Sequence, residues 1–165
     1  MGEFEWKPQW IEILAGQEQA LRYSRFTREM ALELGLKIVQ LVKEKYHDNA
    51  AVRIVEDQTT IFAYKMPGTS LENDWWMDRK LAVSRCTGTS SLRAYVEAEN
   101  GLRDAFWQAR ADNFAACGGC FPIFPADGSQ PWAYVLVSGM VHHHDHQAIV
   151  DAISWQLGTD AGVLE

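Results

Sequence analysis

The densest cluster of side chains able to hold a metal or move a proton is His142-His143-His144-Asp145-His146, in which His142 and His146 stand four apart, as two ligands on one helix face would. The plainer reading is a strand-to-helix connection in which Asp145 caps the last helix and most of the imidazoles face water. His146 is the exception: it precedes Val150 by four and Ile153 by seven, which turns it toward the apolar face and so toward a pocket or an interface. Cys117-Gly118-Gly119-Cys120 has the spacing of a redox dithiol or of half a zinc site. A low-pKa dithiol sits at a helix N-terminus, whereas the FPIF that follows reads as a strand, and zinc would need two further ligands. Buried thiols acting as small hydrophobes are the simpler assignment, and no metal is expected.

A third cluster lies in PGTSLENDWWMDRK, residues 67–80. Trp75, Trp76 and Met77 suit either an apolar ligand wall or, more simply, core and subunit contacts. Arg79 and Lys80 are placed to meet a carboxylate or propionate at a pocket mouth, against the alternative of an exposed face with weak ion pairs. No Ser-His-Asp spacing, nucleophile elbow, phosphate loop or dinucleotide fingerprint accompanies them, and Gly118-Gly119 alone is too little for a phosphate cradle.

Positioning these groups requires a specific order of elements. Residues 1–20 read as an N-terminal arm or short helix, and Leu21, Tyr23 and Arg25 alternate as in a strand. Thr27 and Glu29, followed by Leu34, Ile38, Leu41 and Val42, predict a capped amphipathic helix to about Tyr46. AVRIVED and TIFAYKM predict a hairpin around Asp57-Gln58-Thr59, closed by the Pro67-Gly68 turn. Asn73 or Asp74 is expected to cap the next helix, which ends at Gly88, and Ser90-Ser91 opens another that ends at Gly101. Around Trp107 a loop with one helical turn is expected; CFPIF and WAYVLVSGM supply two more strands, and Ile149, Val150, Ile153 and Leu157 line a final helix. Hairpin-linked strands need no crossover helix, so the expected class is α+β, an antiparallel sheet with helices on its faces.

Composition sets the bounds. With 165 residues, 47% apolar and 22% charged, the chain suits one globular domain over residues 1–165. A net charge of −7 without any long Lys/Arg block disfavours nucleic acid and anionic membrane as partners. Apolar runs fall far short of the roughly 20 residues of a spanning helix, and the start MGEFEWKPQW lacks a leader pattern, so a cytoplasmic protein is expected. Three cysteines, an odd number, fit reduced thiols.

Several ordered motifs, from about Gln17 to Leu157, resemble the UPF0303 group of the DUF336 superfamily, with the GlcG and HbpS-like proteins as wider relatives. They are ALELG at 31–35, PGTSLENDWWMDRK, Ser90-Ser91, GGCFPI, VSGM and Asp145-His146. Two positions depart from the family pattern, Thr89 and Cys117, where histidines commonly precede the paired serines and the Gly-Gly pair. The resemblance implies a profilin-like α-β-α arrangement, a homo-oligomer, and a small anionic ligand, with haem as the candidate cofactor. It groups Asn73, Asp74, Trp76, Lys80, Ser90, Ser91, Cys117, Gly118, Gly119, Phe121, Asp145 and His146 into one ligand site. His146 or Cys117 would face the iron, and Lys80 or Arg79 the propionates. Two functions follow as expectations: a non-enzymatic small-ligand-binding or interaction protein, or a haem-binding or haem-degrading-like enzyme working through a pocket near His146.

Overall fold

Thr27 ends the first irregular stretch by accepting a hydrogen bond from the Met30 amide at 3.1 Å, which starts α2 (Arg28–Glu44) with Glu29 in its first turn and Lys43 in its last. The computed structural model to which this helix belongs describes residues 7–164. Met1 to Trp6, part of the segment expected as an arm or short helix, lie outside the described residues. From Trp10 that segment is helical, α1 (Trp10–Ala20), and the alternation over LRYSRF yields only a two-residue strand, β1 (Arg22–Tyr23).

After α2 the hairpin forms as expected, β2 (Ala51–Glu56) and β3 (Thr59–Lys65), and Asp57 takes the left-handed φ of 54° that tight hairpin turns demand. The next helix, α3 (Leu71–Thr87), is capped by neither Asn73 nor Asp74. Ser70 is the cap: its hydroxyl accepts from the Glu72 amide while Asn73 Oδ1 accepts from the Ser70 amide at 2.9 Å, a reciprocal capping box three residues earlier than predicted. Ser90 caps α4 (Ser91–Glu99), a short 3-10 helix covers Phe106–Arg110, and β4 (Cys120–Pro125), β5 (Ala133–Ser138) and α5 (His142–Leu157) complete the chain.

The five strands lie in the order β1-β4-β5-β2-β3. All pairings are antiparallel except that of β1 with β4, which is parallel, so the sheet is mixed where a wholly antiparallel one was expected. Nothing forces a hairpin there, because the three helices α2, α3 and α4 and the β2–β3 hairpin separate the two strands in sequence. Pro122 is tolerated in β4 because β1 reaches only Phe124 and Pro125, which leaves the Pro122 edge without a ladder partner.

Alternation along β5 sorts the layers. Val135 and Val137 face α2 and α5 and join the larger core, together with Val52, Ile54, Leu34, Ile38, Ile149 and Ile153. Leu136 points the other way, with Cys120 and Ala51, onto Met77 of α3. Outside α3 a further apolar cluster joins Trp10 and Leu14 of α1, Val83 of α3, Leu92 and Val96 of α4, and Trp107. The result is an α+β molecule of helix, sheet and helix layers. The candidate site lies at the end where β5 stops, β4 starts, and α3 and α5 meet.

Candidate functional site

At that end lies a cavity of about 660 Å³, within the range usual for small-molecule sites. Its walls come from α3 (Glu72, Asn73, Trp76, Arg79, Lys80), from the 107–117 segment (Trp107, Gln108, Phe114, Cys117 among them), from the end of β5 (Ser138, Gly139, Met140) and from the first turn of α5 (His142, Asp145). Among the described residues no group of three or more His, Cys, Asp or Glu is placed to hold a metal ion.

Helical spacing explains the α3 wall: Asn73, Trp76 and Lys80 recur at intervals of three and four and so share a face. Asn73 serves twice, since its Oδ1 closes the capping box while its Nδ2 donates to both Ser138 O and Ser138 Oγ at 3.2 Å, tying the start of α3 to the end of β5. Arg79 lies with its guanidinium 3.9 Å from the Trp75 ring centroid and 4.8 Å from that of Trp76. Its Nη2 donates to the carbonyls of Ala111 and Phe114, which fastens the 107–117 segment to α3. Yet Arg79 is only 8% exposed, it makes no salt bridge among the described residues, and its Nε and Nη1 are buried without a hydrogen-bond partner.

Lys80 and Asp145 form the buried floor. Lys80 Nζ donates to Val137 O at 2.9 Å and to Asp145 Oδ2 at 3.3 Å, and Met140 N donates to Asp145 Oδ1 at 3.0 Å. Asp145 therefore does not cap α5 as predicted. The cap position is Val141, which has no capping side chain, and Asp145 points from the first turn of α5 across to α3. Burial pushes its carboxyl up to about 7; the Lys80 ammonium and the Met140 and Gly139 amides pull in the opposite direction and do not cancel it.

The imidazoles sort differently from the expectation that most face water. His144 is exposed, His142 and His143 are half-buried, and His146 is fully buried. His146 faces inward, as its spacing predicts, but it is not in the cavity wall. It packs with its ring 5.7 Å from that of Phe121, and its Nε2 lies 2.7 Å from Gln17 Oε1. Gln17 Nε2 donates to Gly162 O at 2.6 Å, so its oxygen is the acceptor, His146 Nε2 carries the proton, and Nδ1 has no hydrogen-bond partner among the described residues. Burial holds this imidazole down to about 3, with His142 and His143 adding to the shift, and it stays neutral. The imidazole that reaches the cavity is His142, whose Nδ1 accepts from the Gly118 amide at 2.8 Å.

The glycine pair owes its presence to close packing. A Cβ on Gly118 would overlap the carbonyl of His142, and one on Gly119, where φ is 127°, would overlap the Val137 carbonyl and stand 2.6 Å from Lys80 Nζ. Ser91 clamps the turn from outside: its Oγ donates to Cys117 O and accepts from Cys120 N at 3.1 Å. Cys120 is fully buried and its thiol is pushed up to about 12 by desolvation, the opposite of a reactive cysteine. Ser90 is a helix cap whose amide donates to Glu18 Oε2 at 3.0 Å. Asp74 faces the hairpin, paired with Arg53 and Lys65, which hold its carboxyl below the usual carboxylate range.

Of the twelve residues grouped by the sequence, the cavity brings together Asn73, Trp76, Lys80, Cys117 and Asp145. Ser91, Gly118 and Gly119 shape the turn behind it, His146 and Phe121 belong to the core, and Ser90 and Asp74 lie elsewhere. The sequence reading passed over Trp107, Phe114, Met140 and His142 as wall residues. The available signal was three aromatics, Phe106, Trp107 and Phe114, in a segment read only as a loop.

A helix-sheet-helix layering with a ligand-sized cavity at the sheet end defines the class, a profilin-like α+β fold. The chain matches the family described as haem degrading protein HbpS-like over residues 26–154, and belongs to it. A UPF0303 protein of Psychromonas ingrahamii is 30% identical over 146 residues, 87% of this chain and 91% of that one. Among solved structures, Ybr137w shares 25% identity at a TM-score of 0.78, over 90% of this chain and 88% of its own. A PduOC:haem complex shares the fold at 15% identity and a TM-score of 0.65, over 83% of this chain and 98% of its own.

Proposed function

We propose that the protein binds a small organic anion with a flat apolar body in the cavity between α3, the 107–117 segment and α5. The observation that carries this is Arg79, a guanidinium in the cavity wall that is 8% exposed and makes no salt bridge among the described residues. An uncompensated buried charge costs several kcal/mol, and an anion seated against the guanidinium offsets part of that cost. Trp76, Trp107 and Phe114 supply the apolar surface for the ligand body.

Haem is the first candidate, given the family and a fold relative studied as a haem complex. The wall fits it in kind: Arg79 and Lys80 for propionates, and the imidazole of His142 where the sequence had suggested His146. Bound there, haem would contribute an iron centre, while this chain's residues bind its carboxylates and exclude water from its faces.

The test is titration of the purified protein with ferric haem, followed at the Soret band, for the parent, Arg79→Leu and His142→Ala. A saturable shift weakened about 10-fold to 100-fold by Arg79→Leu, the loss of a charge-assisted contact, supports the reading. A non-saturating change common to all three refutes haem as the ligand.

Self-association belongs to the same proposal. Leu32 and Leu36 of α2 are 51% and 57% exposed and Trp155 of α5 is 51% exposed, a surface on the α2–α5 layer that suits a second copy. Light scattering of the parent against Leu36→Glu tests it; equal masses for both refute that surface.

A further inference from the structure

Five side chains with titratable groups line the cavity besides Arg79: Glu72 and Lys80 from α3, Cys117 from the turn before β4, and His142 and Asp145 from α5. Asp145 and Lys80 are set deepest, each 2% exposed, and Asp145 lies between the Lys80 ammonium on the α3 side and the Met140 amide after β5. His146, the next residue of α5, is neutral; Arg79 and Glu72 share the cavity, and Arg79 makes no salt bridge to Asp145. Lys80 commits two of its three N–H donors, to Val137 O and Asp145 Oδ2, and its third has no acceptor among the described residues.

An anion seated at Arg79 therefore arrives beside a lysine whose charge Asp145 already offsets. With Asp145 ionised, the wall presents Arg79, Lys80 and one opposing carboxylate close at hand. With Asp145 protonated, the same wall presents both cations to the ligand. Beside so buried a Lys80–Asp145 pair a second negative charge is costly, and the cheapest relief is a proton on Asp145. Building on the ligand-binding reading above, we infer that anion binding in this cavity is coupled to uptake of one proton by Asp145. The site would thus favour its ligand at mildly acidic pH and release it as pH rises. The raised affinity of Asp145 for its proton puts the change near neutrality.

Naphthalene-2-sulfonate is a suitable probe, a flat aromatic anion that does not itself titrate in this range. Its binding to the full chain is measured by calorimetry at about pH 6 and about pH 8, in two buffers of different ionisation enthalpy, which counts protons without any mutation. The expected result is roughly tenfold weaker binding at the higher pH, as the competent fraction falls in proportion, with close to one proton taken up per ligand there. Asp145→Asn should abolish both the pH dependence and the uptake, and His142→Asn should retain them. Saturable binding whose affinity and proton count are flat with pH overturns the coupling and leaves the ligand-binding reading intact. Uptake that survives Asp145→Asn overturns the assignment to Asp145. No saturable binding at either pH overturns both the coupling and the cavity reading on which it rests.

Discussion

Asp145 should make the protein's stability respond to pH with a sign opposite to that of the usual acid-labile carboxylate, and replacing it by Asn should remove that response. In the folded state burial raises the Asp145 carboxyl to about 7 from an ordinary value of 3.8. Between those values the native state holds a proton that the unfolded chain has lost. The stability this group contributes is therefore fully present below about pH 4 and declines as pH rises through about 7. The slope is about 1.4 kcal/mol per pH unit, or about 4 kcal/mol across the window. His146 runs the other way: its folded value is about 3 against 6.5, so its contribution is present above about 6.5 and is lost as pH falls toward 3. Between about pH 4 and 6.5 the two slopes offset each other in the parent. Asp145→Asn removes one, and the variant should gain on the parent by about 1.4 kcal/mol for each pH unit of increase. Urea unfolding of both proteins at several pH values across this window reads the difference directly. Curves that stay parallel would mean that Lys80 keeps Asp145 ionised throughout and that burial has been overrated. A parent that gains on the variant with rising pH would reverse the assignment of sign.

Other perturbations follow from single contacts. His142→Ala should weaken ferric haem binding while His146→Ala leaves affinity nearly unchanged and lowers stability by about 2–4 kcal/mol, since only the first lines the cavity and the second leaves a core void and an orphaned Gln17 amide; haem titration and thermal unfolding separate the two. Gly119→Ala should cost about 2 kcal/mol or more by chemical denaturation, because its φ of 127° and the Val137 carbonyl both oppose a side chain. Ser91→Ala should destabilise by about 1–3 kcal/mol in the same assay, as Cys117 O and Cys120 N lose a shared partner.

Local signals located most of the elements. Thr27, Gly88 and Ser90 mark helix boundaries where the structure has them, because caps act within one turn of chain. The α3 cap was misplaced since Ser70, Asn73 and Asp74 are all competent caps, and only the box between Ser70 and Asn73 decides among them. The parallel β1–β4 edge was hidden because pairing across so long a stretch leaves no local trace. For the cavity, helix period sufficed to gather Asn73, Trp76 and Lys80, while Cys117 and Asp145 came from family motifs. His142 was passed over in favour of His146 because periodicity tells inward from outward but does not distinguish a core from a cavity, and that distinction depends on Gln17, far off in the chain.

The position of α1 bears on how the protein is made. Gln17 bonds His146 and Gly162, Glu18 bonds Ser90 and Arg93, and β1 pairs with β4, so almost everything that α1 and β1 hold lies much later in the sequence. During synthesis these first segments emerge long before their partners. A helix with so few local contacts to secure it waits until α5 has left the ribosome, and its docking then joins α1 to His146 and to Gly162. α1, made before α2 to α5, is thus placed after them, and deleting α1 should leave Gly162 and His146 without the Gln17 that joins them.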